Sequence, residues 1–165
     1  MDIFKKLFGG APASPRNADE FCEHAKAESL SGNYRDAVAH LNKALKINPN
    51  HPDALFERGK ALIEMKNPKG ALADYNRLLV LQPGNAAAYQ KRARAKDLLK
   101  DFQGAVRDLD SAIRLSPDMA LAFYDRGLIK AMALKEKKNA QSDLERAAEL
   151  GLAVAREALR HLYDD

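Results

Sequence analysis

Apolar and small residues return along this chain on two periods at once, a helical one and a longer one of 34 residues. Large apolar residues stand at 21, 55, 89 and 123 (Phe, Leu, Tyr, Phe), and small ones four residues later at 25, 59, 93 and 127 (Ala, Gly, Ala, Gly). Alanine recurs at 37, 71 and 105, and proline at 49, 83 and 117. Residues four apart share one helix face, so each unit carries a face where a second helix can approach closely beside a large residue that fills the gap. Helix starts are marked by Asn17 three residues before Glu20, by Asn67 ahead of Pro68, and by Asn85 and Asp101. A helix pair of this size cannot bury both of its apolar faces alone, so successive pairs must stack.

The phase divides the chain into units 18–51, 52–85, 86–119 and 120–151. The last is degenerate. Its inter-helix turn "LKEKKN" reads one residue longer, and Ala140 takes the alanine position. It closes on Gly151 rather than on proline. Residues 152–165 then read as a C-terminal capping helix, with Leu152, Val154, Ala155, Leu159 and Leu162 covering the open face of the last repeat.

A 34-residue helix–turn–helix unit with these signatures resembles the tetratricopeptide repeat family, over about four-fifths of the chain. The resemblance implies an all-α fold, a right-handed superhelical α-solenoid of four repeats plus the capping helix.

A polar column runs through the same frame. Arg58, Arg92 and Arg126 share the seventh repeat position, and Asp74, Asp108 and Asp143 the twenty-third once the extra residue is allowed for. In an antiparallel hairpin these positions fall almost on one rung, and repeat 1 departs at both together, with His24 and His40. Structural ion pairs Arg58–Asp74, Arg92–Asp108 and Arg126–Asp143 follow as the expectation. Cross-repeat pairs Asp74–Arg92 and Asp108–Arg126 are the competing geometry.

Arrays of this family typically bind peptides in the concave groove lined by the first helix of each repeat. By that resemblance the groove positions here are Lys26, Lys60, Arg94 and Leu128 at the ninth position, with Lys91 at the sixth. Phe56, Gln90 and Tyr124 come from the fifth, and Leu30, Ile63, Leu98 and Met132 from the twelfth and thirteenth. They describe a basic ladder along repeats 1–3 with an apolar, aromatic end at repeat 4. The matching ligand is an acidic segment with one or two large apolar anchors. The two-carboxylate clamp of heat-shock co-chaperones is a different matter. Its Lys, Asn, Asn, Lys and Arg fall on Cys22, Lys26, Glu57, Ala87 and Lys91, which argues against it.

Composition narrows the function classes. The chain has 165 residues, 46% hydrophobic and 30% charged, with a net charge of +4, an ordinary balance for one folded unit rather than a disordered chain or a nucleic-acid binder. One cysteine, Cys22, admits no internal disulfide and fits a reducing compartment. No apolar run reaches the ~20 residues of a membrane span, and the start lacks a secretory core; the cytoplasm is the expected location. Cys22 and His24, two apart on a helix, point away from each other and cannot form a nucleophile–base pair. His24, Glu28 and His40 make only a thin case for a metal. No phosphate-binding or dinucleotide motif is present. No enzyme activity, cofactor, metal or nucleic-acid partner is therefore expected. Residues 1–17 read as a flexible segment whose Ile3, Phe4, Leu7 and Phe8 form a short amphipathic stretch beside Lys5 and Lys6. The expected function is a non-enzymatic protein-interaction scaffold. A co-chaperone or secretion chaperone holding unfolded clients is the alternative, and an RNA-binding helical array ranks below it.

Overall fold

A computed structural model describes residues 17–163; the amphipathic stretch at residues 3–8 lies outside them. All regular structure among the described residues is helical. Four antiparallel pairs follow one another: α1 (Ala18–Leu30) with α2 (Tyr34–Ile47), α3 (Pro52–Glu64) with α4 (Pro68–Leu81), α5 (Ala86–Leu98) with α6 (Phe102–Leu115), and α7 (Ala120–Leu128) with α8 (Lys137–Glu149). A final helix, α9 (Ala153–Tyr163), packs on α8. Each helix packs on the next, and α1 also touches α3, as α3 touches α5, so the pairs stack into an α-solenoid.

The asparagines and the aspartate cap as their sequence positions suggest. Asn17 accepts from the Glu20 amide at 2.9 Å, Asn67 from Gly70 at 3.0 Å, Asn85 from Ala88 at 2.9 Å and Asp101 from Gly104 at 2.9 Å. Each satisfies one of the orphan amides of a first turn. α3 uses a cap that its sequence did not announce. His51, buried, accepts from the Ala54 amide through Nδ1 at 3.4 Å while Nε2 meets Asp19 at 2.8 Å, tying α3 to α1.

Packing within each pair follows the small-against-large rule. Leu41, Leu55, Tyr75, Leu78, Leu109 and Leu144 are fully buried. Gly59 is small because Tyr75 lies opposite it: a Cβ there would stand 2.5 Å from the ring's Cζ.

The turns inside the pairs share one left-handed residue, and the first three share its hydrogen bonds. At the first, the Gly32 amide donates to Ser29 and the Asn33 amide to Glu28, a Schellman motif with Gly32 at φ +79°. Lysine occupies the same left-handed position afterwards, at Lys66 (φ 57°), Lys100 (φ 67°) and Lys135 (φ 62°).

Repeat 4 corrects one expectation. Its turn is no longer than the others; the extra residue lies upstream, within the helix. Residues Ile129–Ala133 form a π-helical turn continuing α7, closed by the Leu134 amide on the Ile129 carbonyl at 3.1 Å. A wider turn absorbs one residue without breaking the helix, which restores the phase before Lys135.

α9 caps the array largely as its pattern suggests. Gly151 (φ 92°) ends α8 in another Schellman motif. Ala155 is buried, and Leu152 and Leu159 pack with Phe123 and Tyr124 against Ala147 and Ala148. Val154 departs from the expectation: it is 45% exposed, on the solvent side of α9.

Candidate binding groove

Two adjoining cavities open along the first helices. The larger, about 780 Å³, runs from Lys26 and Leu30 past Lys60 and Ile63 to Gln90, Lys91, Arg94 and Leu98. The smaller, about 420 Å³, lies between repeats 3 and 4 and is lined by Ala93, Phe102, Leu109, Leu128, Ile129, Met132 and Ala133. Arg94 and Asp125 line both. Ten of the twelve residues that sequence reasoning assigned to a groove thus border these cavities.

Phe56 and Tyr124 border neither. Phe56 packs edge-on against Tyr75 with ring centroids 6.1 Å apart. Tyr124 is taken up by the apolar cluster under α9. Cys22 and Gln90, at the same fifth position, are buried as well, although Gln90 still borders the larger cavity. Burial raises the Cys22 thiol to about 11, so it stays protonated and unreactive at neutral pH.

The basic ladder is largely neutralised within its own helices. Lys26 meets Glu23 at 2.7 Å, Lys60 meets Glu57 at 2.7 Å and Arg94 meets Asp97 at 3.1 Å. The hydrogen bond from Lys26 to Glu23 raises the Lys26 pKa above its ordinary value. Such exposed one-turn pairs are worth little in stability, but they change what a ligand meets: dipoles rather than a bare cation column. Lys91 makes no ion pair among the described residues. Asp125 is the unusual group. Desolvation raises its carboxyl above the ordinary 3.8, against the lowering effect of a 2.5 Å hydrogen bond from Gln90 Nε2 and of nearby Arg94 and Lys91. Its Oδ1 takes no hydrogen bond from the described residues. Asp125 shares the sixth, groove-facing repeat position with Lys91; its position is legible in the pattern, whereas its desolvation depends on packing between helices.

The arginine column lies away from these cavities. Arg58 holds Asp74 with two bonds of 2.8 and 2.5 Å, Arg92 holds Asp108 at 2.8 and 2.6 Å, and Arg126 holds Asp143 at 2.9 and 2.5 Å. All three pairs are within one repeat. The remaining nitrogen of each arginine reaches back one repeat, to Asn42 at 2.7 Å, Asn76 at 3.0 Å and Asp110 at 2.6 Å. That third column is spaced by 34 like the others. Lys96 and Lys130 add a second cation to Asp108 and Asp143, each at 2.8 Å. In repeat 1 the paired histidines replace this arrangement: His24 and His40 stack with centroids 5.5 Å apart. No group of three metal-ligating side chains occurs among the described residues. No described helix is long and apolar enough to cross a membrane.

The chain resembles known proteins in this architecture. Residues 30–96 match the family model of the tetratricopeptide repeat. Among solved structures, TTC0263 of Thermus thermophilus, described as a thermophilic TPR protein, is 25% identical over 88% of this chain and 81% of its own, with a TM-score of 0.77. YrrB, described as a TPR protein with an unusual peptide-binding site, is 21% identical over 87% and 74%, with a TM-score of 0.76. The first TPR of RPAP3, bound to the HSP90 peptide SRMEEVD, is 23% identical over 76% and 99%, with a TM-score of 0.70. Among curated proteins, none matches the chain in sequence.

Proposed function

Given that this chain is built of tetratricopeptide repeats, we propose that it is a non-enzymatic interaction scaffold that holds a partner's peptide segment along its first helices. The continuous pair of cavities carries this reading: apolar Leu30, Ile63 and Leu98 line the larger one beside Lys26, Lys60, Lys91 and Arg94. That mixture supplies apolar contact for affinity and charge for register. The larger cavity's lining holds five bases against Glu57, Glu64 and Asp125, so it favours a segment with a modest acidic excess. Two of the structural neighbours are described with peptides or a peptide site, which supports the same class of ligand here. The chain lacks the residues for a terminal-carboxylate clamp of the co-chaperone kind: Cys22 is buried and Glu57 is an acid already paired with Lys60.

Affinity purification with the wild-type chain and with Lys60→Glu/Arg94→Glu tests this. Each reversal turns an internal ion pair into two adjacent acids, which repel an acidic segment. Loss of the wild-type partners by the reversed bait is the expected result; equal recovery by both baits counts against groove binding.

A further inference from the structure

The π-helical turn does more than restore phase. At the tenth repeat position Ala61 and Ala95 are buried in the core cluster that runs through repeats 1 to 3, whereas repeat 4 places Ile129 there. The first helices of repeats 1 and 2, and of 2 and 3, touch one another, while α7 makes at most a slight contact with α5. A cavity of about 420 Å³ occupies the resulting gap, walled by Ile129, Met132 and Ala133 of the wide turn and by Ala93 and Leu109 of repeat 3. The cavity opens to solvent and its walls are mainly apolar, so water in it finds few polar partners. Water in such a site is displaced favourably by an apolar group.

We propose that this cavity, created by the extra residue of repeat 4, is the anchor pocket of the groove. It receives one large apolar side chain, leucine, methionine or phenylalanine, of a bound partner segment. The proposal rests on the groove reading above and specifies it. Asp125, at the lip shared by both cavities, offers Oδ1 to a main-chain N–H of the segment. Lys91, without an ion-pair partner among the described residues, meets an acidic residue next to the anchor. Met132 is 63% exposed, an uncovered apolar group at the mouth of the pocket that such a side chain would cover. A one-residue insertion thus gives otherwise similar repeats a polarity, with the anchor at the repeat-4 end and the charged contacts upstream.

A random heptapeptide phage library panned on the full chain supplies the probe, and enriched sequences are remade as synthetic peptides. The expected sequences carry one large apolar residue beside an acid. Changing that residue to alanine should weaken binding about 10- to 100-fold, the range that corresponds to losing one buried side chain. Ala133→Phe, which fills the cavity, and Met132→Lys, an exposed change that spares the fold, should each produce a similar loss with melting temperature and helicity retained. Peptides that respond to Lys60→Glu/Lys91→Glu but not to either cavity variant overturn the anchor pocket and leave the groove reading standing. Peptides that respond to neither set, or the absence of any enrichment, overturn both.

Discussion

Arg92 sits where a helix face is otherwise apolar, and its surroundings show what an arginine needs to be kept there. Two bonds to Asp108, one to Asn76 and the face of Tyr89 at 5.3 Å engage the guanidinium. The hydrogen bond to Asp108 raises its pKa against the opposing effect of burial. Asp108 is 4% exposed, so removing the arginine leaves a buried carboxylate with Lys96 as its remaining cation. Arg92→Ala should cost about 3 kcal/mol, and a double-mutant cycle with Asp108→Ala should show coupling above ~1 kcal/mol in chemical denaturation. Additive losses would place the two residues in independent roles. Asp125 behaves oppositely. Its folded pKa lies above the ordinary 3.8, so the folded state holds a proton more tightly than the unfolded chain. Stability from this group therefore falls as pH rises through the window that begins at about 3.8 and extends upward. Asp125→Asn should melt higher than the wild type at pH 7, with the gain shrinking towards pH 3 in parallel melts.

At the scale of the element, the turns show how uniform geometry is kept on uneven sequence. Gly32 takes the left-handed position without steric strain. Lys66, Lys100 and Lys135 adopt the same φ with a Cβ, which costs ~1 kcal/mol each. Lys66→Gly should return about 0.5–1 kcal/mol, less the entropy that glycine adds to the unfolded chain. A rise in melting temperature of roughly 1–4 °C is expected by calorimetry, and a fall would mean that the lysine's other contacts outweigh the strain. The capping residues and the 34-residue phase of these elements were legible from local chemistry. The π-turn was not, because the count of residues between Gly127 and Ala140 is the same wherever the extra one sits. Only the positive φ at Lys135, in step with its three predecessors, places the insertion inside the helix.

Over the whole molecule, stability depends on each pair covering its neighbour, and the last pair depends on α9. Phe123 and Tyr124 are packed with Leu152 and Leu159 in that final cluster. Truncation after Gly151 should re-expose two aromatic rings and cost at least ~3 kcal/mol, lowering the melting point by about 6 °C or more. The uncovered apolar face should also drive self-association in size-exclusion chromatography. A truncated chain with unchanged melting point would show that α9 contributes nothing to the array.

The sequence by itself determined the number of repeats, the helix starts and the rungs on which Arg58, Arg92 and Arg126 meet their aspartates, because each of these is set by spacing along one chain and a fixed helical period. It also placed ten of the twelve proposed groove residues beside the cavities. Tertiary structure alone decided whether the arginine pairs lie within or between repeats, because both geometries satisfy the same spacing. It turned Phe56 and Tyr124 inward, since the fifth position's exposure depends on how closely the next repeat approaches. It paired the basic ladder with its own acids, desolvated Asp125 and opened the cavity beside the π-turn. Those features depend on distances between side chains from different helices, which periodicity in one dimension does not encode.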